Sequence, residues 1–128
     1  MRQATRWAMV MTVVLAAVIA FLTLRPPIET GMPAGSDKLY HFIAFAALSF
    51  PLALVRPRWS AGLLVLFTAY GAAIEIIQPY MGRSGEWADL LADVTGILGG
   101  IAAGLLIRHL LQQKRGGRQS AGGMPGST

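Results

Sequence analysis

The sequence is poor in the residues on which soluble and disulfide-bonded proteins depend. Its 128 residues include no cysteine, so the chain forms neither a disulfide nor a thiolate metal site. Only 13% of the residues are charged and 54% are hydrophobic, whereas roughly 25% are charged in ordinary soluble domains. A soluble chain this short has too much surface to cover with so few charges. The composition therefore favours a lipid bilayer as the solvent.

Acids and histidines are scarce as well. The chain has six acids and two histidines against 11 lysines and arginines, which gives a formal net charge of +5. The basic residues stand between apolar segments, a pattern that membrane topology explains better than nucleic-acid binding. One histidine near the acids is few ligands for zinc. We therefore predict no nucleic-acid partner, no cofactor and no metal.

Four apolar segments make up most of the chain. Each has about the 17–25 residues that a helix needs to cross a hydrocarbon core, and the apolar residues are continuous rather than alternating. The first segment is longer than a signal-peptide core and no clear cleavage site follows it, so we expect it to remain as a span. The sequence predicts an all-α membrane protein with four transmembrane helices at about 7–24, 38–55, 59–78 and 89–107.

The distribution of basic residues predicts the orientation of these spans. Eight of the 11 lysines and arginines fall on the face that carries both termini, and three fall on the other face. By the positive-inside rule, both termini are then cytoplasmic. We expect residues 1–6 to be a cytoplasmic N-terminus, 7–107 the membrane domain, and 108–128 a basic, Gly/Ser-rich cytoplasmic tail that is disordered at its end.

In this topology the acids lie on or near the outer face. The start of the second span, the end of the third and the start of the fourth share one membrane depth. Helical spacing of three or four residues places the polar side chains of each span on one helix face. A lipid-facing acid is unfavourable, so such groups usually face the bundle interior or a wet cavity. We predict an outer-face polar site formed by Asp37, Lys38, His41, Glu75, Gln78, Arg83, Asp89 and Asp93.

Each of these residues also has a simpler explanation. His41 is equally suited to the membrane interface, and Glu75 to a solvated helix end close to a proline. Asp89 is suited to the first turn of a helix, where the helix dipole stabilises it. Arg83 is either an outer-loop charge or the counter-ion of the acids. Asp93 lies about 6 Å deeper than Asp89 and needs a partner, for which Arg83, Lys38 and His41 are the candidates.

The fourth span carries a regular pattern of small residues. Glycines four residues apart allow two membrane helices to approach closely. Asp89 and Asp93 extend the same helix face. We predict that this face packs within the chain, through Gly96, Gly100 and Gly104.

Three ordered blocks of the sequence resemble the VanZ-like family of small bacterial membrane proteins. They are "DKLYHFIAFAAL" (37–48), "YGAAIEIIQ" (70–78) and "GRSGEWADLLADVTGILGG" (82–100). Asp93 departs from the family pattern, which most often has Asn there. The resemblance implies a multi-pass protein of the bacterial cytoplasmic membrane and cell envelope. The family takes its name from a member linked to resistance to the glycopeptide antibiotic teicoplanin.

Three functions are compatible with the outer-face polar site. The first is binding of an envelope lipid, a wall precursor or a partner protein, in which Arg83, Lys38 and His41 contact phosphate or carboxylate. The second is an intramembrane enzyme that uses His41 with Glu75 or Asp93 as general acid and base. The third is transport or proton coupling by an oligomer. We favour binding, and the sequence leaves the question of catalysis open.

Overall fold

The fold is a bundle of helices. A computed structural model describes residues 2–26, 28–29, 31–33 and 35–121, with side chains to residue 117. Within these residues there is no strand, and four helical segments are long and apolar enough to cross a membrane. The predicted all-α architecture with four membrane-spanning helices is therefore confirmed. The helices are α1 (Arg2–Leu24), α2 (Ser36–Val55), α3 (Ser60–Ile77) and α4 (Trp87–Ala121), with short 3-10 helices at Pro57–Trp59 and Gln78–Met81.

The helices differ from the predicted spans at the two ends of the chain. The first helix already begins at Arg2, because no helix-breaking residue separates the polar start from the apolar run. The last helix continues through the basic segment after Ile107 and ends at Ala121. Continuous helix satisfies the backbone groups of both segments, whatever their polarity. The predicted disorder concerns residues 122–128, which lie outside the described residues.

The α2–α4 pair is the centre of the bundle. These two helices share the most extensive contact, while α1 packs on α2 and α3 packs on α4. The side chains that are fully or almost fully buried lie along the middle of the pair and include Phe45, Leu48 and Ile97. Many large apolar side chains, such as Val13, Val65 and Leu106, are instead exposed on the outer surface. Such a surface is suited to lipid, which solvates apolar groups as well as the protein interior does.

The glycines of α4 lie directly against the backbone of α2. A Cβ atom at Gly96 would overlap the carbonyl oxygen of Phe42, and one at Gly104 would meet the backbone of α2 near Leu54. A Cβ atom at Gly100 would overlap the Ala46 carbonyl oxygen and the Ser49 hydroxyl oxygen. Small residues are therefore required on this face of α4. We refer to the contact along Gly96, Gly100 and Gly104 as the glycine seam.

Hydrogen bonds between helices occur at several levels of the bundle. Ser49 is fully buried, and its hydroxyl donates to the Ile97 carbonyl at 3.1 Å across the α2–α4 contact. The Tyr70 hydroxyl of α3 donates to the Ala16 carbonyl of α1. At the other end, Arg108 donates to the Leu54 carbonyl at 3.1 Å. Because interhelical hydrogen bonds and tight packing drive helix association in lipid, these contacts help to hold α2 to α4 and α1 to α3.

We predict that Gly100→Ala destabilises the bundle whereas Gly99→Ala does not. The methyl group added at position 100 has no room against the α2 backbone, and overpacking of this kind costs about 1–3 kcal/mol. At Gly99, the preceding residue of the same helix, the nearest atom to an added Cβ is a Phe42 ring carbon at 3.4 Å. The apparent melting temperatures of the two purified variants check this. Equal temperatures would show that the glycine seam is not a tight contact.

Candidate functional site

A buried hydrogen bond between α2 and α4 lies at the centre of the polar residues. His41 Nδ1 is 2.8 Å from Asp93 Oδ1, and the two side chains are 8% and 0% exposed. An ionised carboxylate only accepts, so Nδ1–H is the donor in this contact, and in the neutral imidazole the lone pair is then on Nε2. His41 is thus the partner of Asp93 among the three candidates that the sequence offered.

The free side of the imidazole faces two further carboxylates. His41 Nε2 lies 4.0 Å from Asp89 Oδ2, one helical turn before Asp93 on α4. One oxygen of Glu75, from the end of α3, lies within 4.8 Å of a ligand atom of His41 and of Asp89. Three helices therefore contribute to one small group of side chains. We call His41, Glu75, Asp89 and Asp93 the acid–histidine cluster.

A second layer of residues covers this cluster toward the end of the bundle. Lys38 Nζ lies 3.3 Å from Glu86 Oε2 and 3.7 Å from Asp89 Oδ1. The Glu86 backbone N–H donates to Glu75 Oε2 at 2.9 Å, which fixes the end of α3 to the start of α4. Lys38 and Glu86 are about half exposed, so they separate the cluster from the surroundings without sealing it.

The hydrogen bonding of the buried carboxylates is incomplete. Glu75 Oε1, Asp89 Oδ1 and Asp93 Oδ2 are buried and have no hydrogen-bond partner in the described part of the chain. A Cβ atom at Gly71 would lie only 2.7 Å from Asp93 Oδ2, so α3 closes over that oxygen with its bare backbone. Buried polar atoms normally have partners, and each unpaired atom carries a desolvation cost of about 1–3 kcal/mol. These three oxygens can therefore accept from a further partner.

A cavity adjoins the cluster between α1, the segment after it and the start of α2. It has a volume of about 1110 Å³ and reaches His41 at its inner wall. Its apolar lining includes Leu22, Ile28 and Ile43, which are themselves exposed at its edge. We call it the α1–α2 cavity. Its charged lining residues are Arg25, Glu29, Asp37 and Arg83.

The structure divides the predicted site residues between these two features. The first group is Lys38, His41, Glu75, Asp89 and Asp93, which are in or over the acid–histidine cluster. The second is Asp37, His41 and Arg83, which line the α1–α2 cavity. Gln78 belongs to neither, since it is buried and its amide donates to the Thr23 carbonyl of α1 at 3.4 Å. His41 is the only predicted residue that belongs to both groups.

Arg83 is not the counter-ion of the acids. Its Nη1 donates to the Arg25 carbonyl at 3.5 Å, and it forms no ion pair with any acid in the described part of the chain. The cation nearest to the acids is instead Lys38. The loop after α3 turns the Arg83 side chain toward α1, which the linear sequence does not indicate.

Sequence reasoning missed three contributors to the site. Glu86 was not among the predicted site residues, yet its backbone N–H donates to the Glu75 carboxylate. Gly71 provides the close backbone contact to Asp93, and Arg25 adds a second cation to the α1–α2 cavity. Gly71, four residues before Glu75, was the one signal in the sequence for these contacts. Its spacing places it on the same face of α3 as Glu75, and a glycine there allows close packing.

We predict that Asp93→Asn is tolerated and that Asp93→Ala is not. The amide oxygen of the introduced asparagine still accepts from His41 Nδ1–H, and the variant removes a buried charge. Alanine leaves the buried Nδ1–H without a partner, which costs about 1–3 kcal/mol. Thermal unfolding of the purified variants checks this. The single variants Lys38→Ala and Glu86→Ala, which remove a half-exposed ion pair, are the controls for loss of a surface contact. Equal loss of stability in both Asp93 variants would rule out a neutral hydrogen bond as the main contribution of this residue.

Comparison with known proteins agrees with the family resemblance of the three sequence blocks that contain the cluster residues. No curated protein and no solved structure matched the chain. A family model described as VanZ/LLP1 matches residues 3–108, which include every residue of the acid–histidine cluster and nearly all of the four membrane-spanning segments. The match covers most of the 128 residues. The chain therefore belongs to the VanZ/LLP1 family.

Proposed function

We propose that this protein binds a phosphate-bearing lipid of the bacterial cell envelope in the α1–α2 cavity. The observation that supports this most strongly is the combination of an apolar wall with two arginines in one cavity. Leu22, Ile28 and Ile43 offer contacts for a hydrocarbon chain, while Arg25 and Arg83 lie where a head group would be. An amphiphile satisfies both parts of such a cavity.

The arginines provide the phosphate recognition in this proposal. A guanidinium group has five donors in a fixed plane and binds phosphate through two parallel hydrogen bonds. Arg83 uses one nitrogen on the Arg25 carbonyl at 3.5 Å, a long contact that a phosphate can replace. Glu29 and Asp37 line the same cavity and can accept from hydroxyl or amino groups of a head group. A phosphate linked to a sugar or amine, as in lipid-linked wall precursors, fits this mixture of charges.

Size agrees with this choice of ligand. Ligand pockets usually have about 300–1,000 Å³, so a cavity of about 1110 Å³ accommodates a whole head group and the first part of a chain. The exposed apolar side chains at its edge provide a path along which the rest of the chain continues into the bilayer. Binding therefore requires no opening of the bundle.

The proposal includes an orientation and a place in the cell. With both termini in the cytoplasm, the α1–α2 cavity lies on the outer side of the cytoplasmic membrane, where wall precursors are used. A protein that holds such a precursor can alter the access of glycopeptide antibiotics to it, which would connect this chain to antibiotic tolerance. A membrane partner protein could also receive the bound lipid from a cavity at this side of the membrane.

A second candidate function is acid–base catalysis on the bound lipid. His41 lines the α1–α2 cavity, and Asp93 at 2.8 Å orients its imidazole. A histidine oriented by a buried carboxylate, with a free nitrogen, is suited to proton transfer. Turnover of the bound lipid, lost in His41→Gln but with binding retained, would establish catalysis in addition to binding.

Photo-crosslinking in membranes tests the binding proposal. We expect photoactivatable polyprenyl phosphate or phosphatidic acid to label the protein at least tenfold more than polyprenol or diacylglycerol with the same photoactivatable group. Arg83→Gln should remove most of that difference, because the phosphate loses one of its two guanidinium partners and keeps only Arg25. Preference for the polyprenyl or the glycerol lipid identifies the lipid class.

The control is Arg58→Gln, which changes an exposed arginine at the opposite end of the bundle. Equal labelling by the phosphorylated and neutral lipids, or equal loss in both arginine variants, would contradict the proposal. The absence of cysteine also makes Ser84→Cys a clean probe of orientation. A membrane-impermeant maleimide should label Ser84→Cys in intact cells and should leave Gln113→Cys unlabelled.

A further inference from the structure

The acid–histidine cluster presents three ligand atoms of the kind that metal ions use. One atom each from His41, Glu75 and Asp89 lies within 4.8 Å of the others, and the three residues come from three different helices. Bonds of about 2.0–2.2 Å to a central ion place neighbouring ligand atoms roughly 3–3.5 Å apart. Binding would therefore draw together three atoms that the helices already bring within 4.8 Å of one another.

Asp93 prepares the histidine for this role. Its carboxylate accepts a hydrogen bond from His41 Nδ1–H, with 2.8 Å between Nδ1 and Oδ1, so in the neutral imidazole the lone pair is on Nε2. Nε2 is the nitrogen that faces Asp89, at 4.0 Å from Oδ2. A carboxylate behind a histidine ligand is a recurrent feature of metal sites, where it fixes the ring and raises its basicity. Asp93 is therefore a positioning residue rather than a ligand.

The unpaired oxygens provide an independent reason to expect a cation. Glu75 is 8% exposed, and its Oε1 has no hydrogen-bond partner in the described part of the chain, although Oε2 binds the Glu86 N–H. Asp89 Oδ1 also has no hydrogen-bond partner in the described residues, and its ion-pair contact with Lys38 Nζ is long, at 3.7 Å. Three buried carboxyl groups thus face one partly exposed lysine and one histidine. A divalent ion would pair these oxygens and balance their charge.

We propose that His41 Nε2 and the carboxylates of Glu75 and Asp89 bind a divalent metal ion of the zinc type, and we take Zn²⁺ as the ion to test. The imidazole favours such an ion over Mg²⁺ or Ca²⁺, which prefer all-oxygen sites. Three protein ligands leave a fourth tetrahedral position open for water or for an oxygen of a bound molecule. The single histidine led the sequence to predict no metal. Convergence of two acids on that histidine is a property of the fold.

This proposal does not depend on lipid binding, because it concerns different side chains from Arg25 and Arg83. A zinc titration tests the proposal. The purified full-length protein is first stripped with a chelator and then competes with a chromophoric indicator for Zn²⁺. We expect one Zn²⁺ per chain and at least a hundredfold preference over Mg²⁺. Glu75→Gln and Asp89→Asn should each weaken binding by at least tenfold. Asp93→Asn should weaken it less, because the hydrogen bond to His41 survives.

Two control variants distinguish this site from adventitious zinc on the surface. Glu29→Gln changes an exposed acid outside the cluster, and His109→Gln removes the only other histidine, which lies on the exposed extension of α4. Both should bind Zn²⁺ as the unmodified protein does. Loss of binding in His109→Gln, or unchanged binding in both Glu75→Gln and Asp89→Asn, would overturn the proposal.

A measurement on the unmodified protein is independent of how well the variants fold. X-ray absorption at the zinc edge should show one imidazole and otherwise oxygen ligands, at about 2.0–2.2 Å. More than one imidazole, or no zinc retained after stripping and reloading, would also overturn the proposal.

Discussion

The close contact between α2 and α4 is the constraint on which the rest of the structure depends. The glycine seam brings the backbone of α4 onto the carbonyl groups of α2. Because the seam and Asp93 lie on one face of α4, the same contact that aligns Gly96 with Phe42 also brings Asp93 to His41, one residue earlier on α2. The register of two helices therefore determines which polar groups meet. A shift of one helical turn, about 5.4 Å, would separate the pair.

The hydrogen bond between His41 and Asp93 also explains how a membrane bundle can hold a fully buried acid. A charge at the centre of a bilayer is costly, and the cost falls when the group is paired within the protein. Asp93 is fully buried and uses one oxygen on His41, whereas its other oxygen lies under the backbone of Gly71. The arrangement gives a rigid imidazole with one free nitrogen. Stability alone would have been served better by apolar side chains of similar volume.

The acid–histidine cluster and the α1–α2 cavity meet at His41, and this juxtaposition connects structure to function. The cavity offers apolar walls and two arginines, while the cluster offers the Nε2 side of the imidazole and carboxylate oxygens that have no hydrogen-bond partner among the described residues. In the proposed binding mode, a molecule whose phosphate reaches Arg83 occupies the same cavity that His41 lines.

The sequence predicted the helices well and the pairing of side chains only in part. The number of membrane-spanning helices followed from the lengths of the apolar segments. The order of the spans then placed His41, Glu75 and Asp89 at the same depth in the membrane. The partner of Asp93 could not be chosen, because that choice depends on the rotation of α2 about its axis. The role of Arg83 depended on the path of a loop, and loops leave no periodic signal in the sequence.

The state of the His41 imidazole tests the central claim most directly. In the His109→Gln background, His41 is the only histidine, so ¹⁵N-labelled histidine reports its two ring nitrogens alone. Magnetic resonance of the metal-free protein in lipid should show a proton on Nδ1, hydrogen-bonded to Asp93, and an unprotonated Nε2. A proton on Nε2 instead, or Nδ1 shifts that do not change in Asp93→Ala, would contradict the account.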